Sequence, residues 1–262
     1  MPHLHVSIED TIAEFTLDNP PQNRVDEDMT NELIAAVGKA EEAGARAILL
    51  RATGENFSFG GDIATWVDLG IRDLRAKFEN FMFAFNRFEQ VPIPVIAAVN
   101  GRCLGGGFEL ALRADIIIAG ESARFGHPEQ TLGIVTLLGG VYRVAARAGK
   151  ARAFEWALTS EQVPAVTMTA AGVVNRVVPD DMLLETARAF ARDISSGPTL
   201  AHAAHKALLR IWESNGPQAA DDAMFDIAMP LFESSDVRKA LPLAIDAFLA
   251  GAPRPRADFH GN

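Results

Sequence analysis

Residues 99–110 read Val-Asn-Gly-Arg-Cys-Leu-Gly-Gly-Gly-Phe-Glu-Leu, and this stretch decides the fold class. An apolar run ends in three consecutive glycines and a helix-forming stretch follows, which predicts a buried strand that turns directly into a helix. Glycines allow backbone conformations and close approaches that a side chain would block. At a helix start they also leave N–H groups free at the positive end of the helix dipole. The turn therefore suits an oxyanion or a phosphate, although a tight connection without chemistry fits the same residues equally well.

Strands and helices alternate on both sides of this stretch. Buried strands are expected at residues 47–50, 95–99 and 116–119, with helices between them and a β-hairpin before them. Such alternation is typical of a parallel sheet covered by helices. Beyond residue 180 the strand signals stop, and four helices are expected, at residues 182–195, 199–214, 217–233 and 236–250.

The change in pattern divides the chain into two predicted regions. We expect an α/β core with the active site over residues 1–195 and a helical oligomerisation region over residues 196–262. The helices of the second region are too few to cover their own apolar faces, so contacts with other subunits are expected.

Composition and charge exclude several classes of partner. The chain has 262 residues, 34 of them acidic and 24 basic, with a formal net charge of -10 and no cluster of five or more Lys/Arg, which argues against binding nucleic acid or an anionic membrane. It has no apolar run long enough for a membrane span, and from the pattern of the first residues we expect neither a secretory signal nor a transit peptide. A single cysteine, Cys103, excludes an internal disulfide and a Cys-based zinc site. A reducing cytoplasm is the expected location.

A second glycine turn lies at residues 56–63, which read Asn-Phe-Ser-Phe-Gly-Gly-Asp-Ile. Phe59 or Gly60 of this turn is a candidate for a second backbone N–H donor, while a plain surface loop is the alternative. Two such donors that face one cavity would form an oxyanion hole, which typically contributes ~3–4 kcal/mol per donor.

Two glutamates follow glycine-containing turns. Glu109 lies beside the triple glycine, and Glu129 follows a proline twenty residues later (129 − 109 = 20). If the strand at residues 116–119 runs back along the sheet, both carboxylates reach the same end. Paired carboxylates in an apolar cleft can hold a water molecule and exchange protons with carbon. Two unrelated surface glutamates are the alternative.

Seven stretches, in the same order, make the chain similar to the crotonase (enoyl-CoA hydratase/isomerase) superfamily. They include Leu-Gly-Gly-Gly-Phe-Glu-Leu-Ala at 104–111 and Phe-Gly-His-Pro-Glu at 125–129, and the others are residues 57–62, 94–101, 114–119, 149–153 and 172–178. The resemblance implies a spiral of ββα repeats followed by an all-helical trimerisation region. It implies an acyl-CoA substrate, a homotrimer or a dimer of trimers, and no cofactor or metal, because coenzyme A is part of the substrate.

The resemblance also implies roles for particular residues. The backbone N–H groups of Phe59 and Gly106 would grip the thioester oxygen, Glu109 would help to activate water, and Glu129 would manage the proton at Cα. Because both glutamates are present, a hydratase is favoured over the isomerases of the family that keep only the second carboxylate. The alternatives are an enoyl-CoA isomerase and a C–C bond hydrolase or lyase of the same family. A non-catalytic acyl-CoA-binding or RNA-binding relative is the rival of another class. The predicted substrate-binding residues are Arg24, Gly60, Gly61, Asp62, Ile63, Gly105, Pro128, Thr136 and Leu138.

Three departures from the family pattern bear on the substrate. Phe59 stands where a small residue is usual, and residues 134–143 are more apolar than the family pattern predicts near an acyl group. Arg24 lies in a changed opening loop, where it either reaches a pyrophosphate or is solvated. The fold does not depend on these residues, but the shape of the acyl pocket does.

Overall fold

The apolar runs of the sequence form two β-sheets. The structure, a computed structural model, describes residues 1–261 of the chain. Nine strands are present in this part of the chain: β1 (Leu4–Glu9), β2 (Ile12–Leu17), β3 (Ala47–Ala52), β4 (Val95–Val99), β5 (Arg102–Leu104), β6 (Ile116–Gly120), β7 (Arg124–Gly126), β8 (Val163–Pro164) and β9 (Arg176–Val178).

The large sheet has the order β1-β2-β3-β4-β6-β9, and the small sheet has the order β5-β7-β8. β1 and β2 form the predicted antiparallel hairpin, and every later neighbour in the large sheet is parallel. In the small sheet β5 pairs with β7 in parallel. Parallel neighbours need a crossover, and the helices supply it.

Ten α-helices lie in the described residues. They are α1 (Glu27–Glu42), α2 (Ile71–Glu89), α3 (Gly106–Ala111), α4 (Gly140–Ala148), α5 (Lys150–Thr159), α6 (Ala165–Ala170), α7 (Leu183–Ser195), α8 (Thr199–Asn215), α9 (Pro217–Ala228) and α10 (Ser235–Leu249). Asp26 caps α1, because its side chain accepts a hydrogen bond from the Met29 N–H at 2.9 Å. Short 3₁₀ turns cover Ile63–Thr65, Pro128–Leu132, Asp180–Met182 and Met229–Glu233.

Side chains of the central strands fill an apolar cluster on each face of the large sheet. On one face Ile48 of β3 packs in a cluster with Phe15 and with Leu33 of α1. On the other face Leu49 packs in a cluster with Leu183 of α7. Since both faces are buried, these strands appear in the sequence as continuous apolar runs and not as alternating patterns.

The C-terminal part of the chain is helical, as predicted, with one difference. The helix expected over 217–233 ends at Ala228, and a 3₁₀ turn over Met229–Glu233 follows. Pro230 in that turn lacks the N–H that a continuing α-helix requires. None of the helices in residues 1–261 combines the length and apolar character that a membrane crossing requires. The division at residue 195 into a core and an oligomerisation region stays a prediction, and its last residue, Asn262, lies outside the described residues.

Candidate active site

The small sheet brings the two glutamates together. β5 and β7 are parallel, with Leu104 beside Gly126 at their ends, and the Gly105 N–H donates to the Gly126 carbonyl at 3.0 Å. α3 begins directly after β5 and carries Glu109, and the 3₁₀ turn after β7 carries Glu129. The condition considered from the sequence, that β6 runs back along the sheet, is not met, because β6 is parallel to β4 in the large sheet. It is the pairing of β5 with β7 that directs both carboxylates to one place.

Both carboxylates line a cavity of about 350 Å³. Much of its wall is apolar, and Trp66 and Phe78 meet there edge to face with ring centroids 5.0 Å apart. The apolar side chains that line it are Val25, Phe59, Ile63, Trp66, Phe78, Phe81, Leu104, Pro128, Leu132, Ile134, Leu137 and Leu138. An apolar wall around two carboxylates favours a ligand with a hydrocarbon group next to a reacting polar centre.

Glu109 is buried and held in one orientation. Its Oε1 accepts hydrogen bonds from the Leu138 N–H at 2.8 Å and the Gly140 N–H at 2.9 Å. Burial raises the pKa of this carboxyl, and the two N–H donors together with the charges of Arg113 and Arg143 oppose that rise. The donors leave Oε2 without a hydrogen-bond partner in the described chain, so this oxygen is available to a ligand.

Glu129 has a different environment. Burial, together with the negative charge of Glu109, raises its pKa to about 7. Its Oε2 is buried and has no hydrogen-bond partner among residues 1–261. A β-carbon added at Gly105 would lie 3.0 Å from Glu129 Oε1, and Gly105 has φ of 50°. Glycine is therefore required at 105 both for the backbone turn and for the approach of the carboxylate.

The two glycine turns meet at the cavity, and their backbone donors differ from the prediction. A β-carbon added at Gly106 would lie 3.4 Å from the Gly61 nitrogen, so the turns are in contact. Gly106 is the first residue of α3, where an N–H has no intrahelical partner. Within the described chain the N–H groups of Gly61 and Gly106 are both free of hydrogen-bond acceptors.

Phe59 does not present a free donor, contrary to the sequence prediction. Its N–H donates to the Gln22 carbonyl at 3.0 Å, and the neighbouring Gly60 N–H donates to Ser58 Oγ at 3.1 Å. A backbone N–H that already has an acceptor at this distance cannot also grip a ligand oxygen without breaking that bond. The second donor at this cavity is therefore Gly61, and Phe59 contributes only its side chain to the wall.

Most of the predicted substrate-binding residues line the cavity. Arg24 is among them, and its Nη1 donates to the Gly61 carbonyl at 3.1 Å, so it is neither free in solvent nor unpaired. The others that line it are Gly60, Gly61, Ile63, Gly105, Pro128 and Leu138.

Asp62 and Thr136 do not line the cavity, contrary to the prediction. The Asp62 N–H donates to the Val25 carbonyl at 3.0 Å. This bond joins the loop at residues 56–63 to the loop that precedes α1. Thr136 Oγ1 accepts the Val141 N–H at 3.2 Å at the start of α4. Both residues serve local backbone structure. Conversely, Gln162 lines the cavity without any signal in the sequence, because it comes from the distant connection before β8.

His127 lies behind Glu129 and is buried. Its ring stacks on Phe108 with centroids 4.9 Å apart, and burial lowers its pKa to about 4, so it is neutral near pH 7. Neither ring nitrogen has a hydrogen-bond partner in the described residues, and Nδ1 lies 3.9 Å from Glu129 Oε2. Over residues 1–261 no group of three or more His, Cys, Asp or Glu side chains is placed to hold a metal ion.

Comparison with known proteins agrees with this geometry. Residues 7–244 match the family model described as enoyl-CoA hydratase/isomerase. The probable enoyl-CoA hydratase echA8 of Mycobacterium tuberculosis (strain CDC 1551 / Oshkosh) is 36% identical over 204 residues, which cover 77% of this chain and 79% of that protein. A probable enoyl-CoA hydratase of Bacillus subtilis (strain 168) is 31% identical over 252 residues, or 94% of this chain and 95% of the relative. A crystal structure of enoyl-CoA hydratase subunit I from Geobacillus kaustophilus HTA426 aligns with a TM-score of 0.89 and 30% identity, over 99% of this chain and 98% of the other.

Proposed function

Because this chain belongs to the enoyl-CoA hydratase/isomerase family, we propose that it adds water across the carbon–carbon double bond of an enoyl-CoA thioester. The observation that carries the proposal is the pair of carboxylates, Glu109 and Glu129, which face one apolar cavity from different electrostatic environments. Hydration needs a base for water and an acid for carbon, and two carboxyl groups with unlike surroundings supply both.

Glu109 is the base of this proposal. Burial raises the pKa of Glu109, but two N–H donors and two nearby arginines oppose this rise, and the ionised form can accept a proton from water as the water oxygen attacks Cβ. Glu129, whose pKa of about 7 keeps it largely protonated below neutral pH, delivers its proton to Cα. Afterwards Glu109 is protonated and Glu129 is ionised, and proton exchange with solvent restores the starting state.

The thioester oxygen carries the negative charge between these two proton transfers. We place it between the N–H groups of Gly61 and Gly106, because both are free and the two turns touch at the cavity. Two backbone donors fixed before the reaction stabilise a developing oxyanion without reorganisation, and such donors typically contribute ~3–4 kcal/mol each. Coenzyme A enters as part of the substrate, and the reaction requires no further cofactor.

The glutamates provide the first test. In Glu109→Gln and Glu129→Gln we expect turnover to fall at least ~10²-fold, because each loses a proton-transfer group. The measurement is the loss of the absorbance of the conjugated thioester with short-chain and long-chain enoyl-CoA substrates.

An exposed glutamate gives the control for this assay. Glu121→Gln changes a carboxylate outside the cavity and should leave turnover within about twofold of wild type, as surface changes usually do. Wild-type hydration that survives unchanged in both cavity variants would exclude this mechanism.

Double-bond isomerisation is the second candidate. One observation favours it: Glu129 Oε2 has no hydrogen-bond partner in the described residues, and a pKa of about 7 lets the Glu129 carboxyl both accept and release a proton near neutral pH. A single carboxylate can remove a proton from one carbon of the substrate and return it to another carbon of the resulting dienolate. The product of isomerisation keeps a carbon–carbon double bond at a new position, whereas the product of hydration has a hydroxyl group in its place.

Assembly and location belong to the same proposal. Several large apolar side chains of α8, α9 and α10 are exposed in the single chain, which supports a homotrimer or a dimer of trimers. Cys103 is a buried free thiol, and this fits a reducing cytoplasm.

A further inference from the structure

The orientation of Glu109 depends on a short segment far from it in sequence. Both N–H groups that bind Glu109 Oε1 belong to residues 138–140, just where α4 begins. Residues 134–139 form neither helix nor strand, so no regular backbone ladder fixes them. Whatever holds this segment in place also holds the carboxylate.

Two arginines hold the segment by its carbonyl groups. Arg113 Nη2 donates to the Leu138 carbonyl at 2.7 Å, and Arg143 Nη1 donates to the Gly139 carbonyl at 3.3 Å. The Arg113 side chain is 0% exposed. A fully buried guanidinium is stable only when a negative charge and good hydrogen bonds accompany it.

Glu89, at the end of α2, supplies that charge to both arginines. Arg113 Nη1 donates to Glu89 Oε2 at 2.7 Å, while Arg143 donates to Oε1 through Nε at 2.8 Å and to Oε2 through Nη2 at 2.7 Å. Asn86, one turn earlier, accepts a further bond from Arg113 at 2.5 Å. Burial alone would raise the pKa of Glu89, but the hydrogen bonds and charges of Arg143 and Arg113 outweigh it and hold the pKa below its usual value.

We propose that Glu89 is a positioning residue of this enzyme: through Arg113 and Arg143 it fixes residues 138–140 and, through their N–H groups, the Glu109 carboxylate. Its effect on turnover rests on the proposed function, whereas its effect on Glu109 does not. Replacing Glu89 by glutamine would leave Arg113 buried without its counter-ion, so Arg113 and the attached segment must shift.

The chain contains a matched arrangement away from the cavity. Glu14 of β2 accepts a hydrogen bond from Arg51 at 2.5 Å and two from Arg188 of α7, both at 2.8 Å. This triad has the same composition as that of Glu89, but it touches neither Glu109 nor residues 138–140. Glu14→Gln is therefore the control for loss of an Arg–Glu–Arg triad as such.

The first test follows the titration of Glu109 itself in the unliganded protein. Carbon-13 labelling of glutamate δ-carbons and NMR would record it, with Glu109→Gln to assign the signal. In Glu89→Gln residues 138–140 shift, and Glu109 loses the hydrogen bonds that it accepts from their N–H groups. These bonds lower the Glu109 pKa, so Glu109 should titrate at higher pH than in wild type. In Glu14→Gln the titration should not move. A Glu109 titration that is the same in Glu89→Gln and in wild type overturns the proposal.

The second test is kinetic. Glu89→Gln should lower kcat at least ~10-fold, because a small misplacement of a catalytic group is costly, while KM changes little. The acid limb of the pH profile should move to higher pH with Glu109. Equal kcat in Glu89→Gln and Glu14→Gln contradicts a positioning role. If the wild type hydrates no enoyl-CoA but the Glu109 titration moves as described, the proposed function fails and the positioning role stands.

A second variant covers the case in which Glu89→Gln does not fold. Arg143→Lys keeps the positive charge that itself lowers the Glu109 pKa, but a single ammonium group cannot hold Glu89 and the Gly139 carbonyl as the guanidinium does, and the Arg113–Glu89 pair stays in place. The Glu109 titration should then move in the same direction by less. No movement in this variant would contradict the proposal.

Discussion

Glu109 and Glu129 are chemically identical side chains in different surroundings. Glu109 accepts two backbone N–H bonds, whereas the Glu129 carboxylate oxygen Oε2 has no partner in the described residues. Glu129 also faces the charge of Glu109, and burial and this charge together raise its pKa to about 7. This difference is the reason why the proposed mechanism uses Glu109 as the base and Glu129 as the acid.

The raised pKa of Glu129 has a consequence for stability. The pKa of this carboxyl is 4.5 in the unfolded chain and about 7 in the folded chain. As the pH rises from 4.5 to about 7, the unfolded chain loses the proton more readily than the folded chain, so the free energy of unfolding decreases over this range. Glu129→Gln should therefore stabilise the protein at pH 8, by up to about 3 kcal/mol. The stabilisation should vanish near pH 4, where the carboxyl is neutral in both states. Urea unfolding of both proteins at the two pH values measures it.

The stability of Glu129→Gln also bears on the proposed catalytic role of Glu129. Under the proposed mechanism the same variant should be less active and more stable, because the buried carboxylate is needed for proton transfer and is unfavourable for the fold when ionised. Glu129→Gln that is less stable than wild type at pH 8 would show that the Glu129 pKa is not raised.

At the residue scale the sequence predicts some donors and not others. Gly106, Glu109 and Glu129 could be singled out from the sequence as residues that line the cavity, because each lies in a short recognisable motif. The prediction that Phe59 is a donor was wrong, because its N–H is bonded to the Gln22 carbonyl, which comes near Phe59 only when the chain folds. Gln162 and the arginine pair on Glu89 were not predicted for the same reason. Sequence patterns describe neighbours along the chain, and these contacts are long-range.

At the scale of elements, the site is a junction between the start of α3 and the loop at residues 56–63. A β-carbon added at Gly107 would lie 2.4 Å from the Ser58 Cβ, and one added at Gly60 would lie 3.0 Å from the Gly106 nitrogen. Ser58 is buried, and its Oγ donates to the Asn23 carbonyl at 2.6 Å. The helix and the loop are therefore pressed together where the two free N–H groups lie.

Gly107→Ala tests this junction. The added methyl group overlaps Ser58, so the helix start and the loop must separate, with a loss of about 1–3 kcal/mol of stability. Turnover should fall as well, because the two N–H donors move apart. Urea unfolding and kcat measure the two effects.

A second helical glycine provides the control for that change. A β-carbon added at Gly38 in α1 meets nothing within 4 Å. Gly38→Ala should therefore keep full activity and stabilise the helix by up to about 1 kcal/mol. If Gly107→Ala behaves like Gly38→Ala, the two turns do not need close contact.

Long elements were predictable and short ones were not. The helix α8, expected over residues 199–214, and the strand β4, expected over residues 95–99, follow directly from the spacing of apolar residues. The small sheet was missed because β5 and β7 have three residues each, too few to show a pattern. Because the small sheet was not predicted, β6 was the strand considered for bringing Glu109 and Glu129 to one end of a sheet.

At the scale of the whole molecule, the crotonase resemblance seen in the sequence is confirmed by the family match and the shared fold. The C-terminal helices carry large apolar side chains on their surface. Phe248 of α10 is 82% exposed, and Phe225 and Phe232 are exposed nearby in sequence. A surface of this kind supports the proposed homotrimer or dimer of trimers.

We expect Phe248→Asp to weaken assembly, because a charge at a subunit interface must lose its hydration. Analytical ultracentrifugation should show a smaller species than wild type at equal concentration. Val166→Asp, at an exposed position of α6, gives the control and should leave the mass unchanged. A wild-type protein that sediments as a monomer would contradict the assembly proposal.

The central claim is that water adds to the double bond and that a solvent proton reaches Cα. Incubation of the wild-type protein with an enoyl-CoA in D₂O, followed by mass spectrometry and NMR of the product, tests this most directly. We predict a 3-hydroxyacyl-CoA with deuterium bound at Cα, formed by wild type and not by Glu129→Gln. A product that keeps its double bond at a new position, or an unchanged substrate, would contradict the claim.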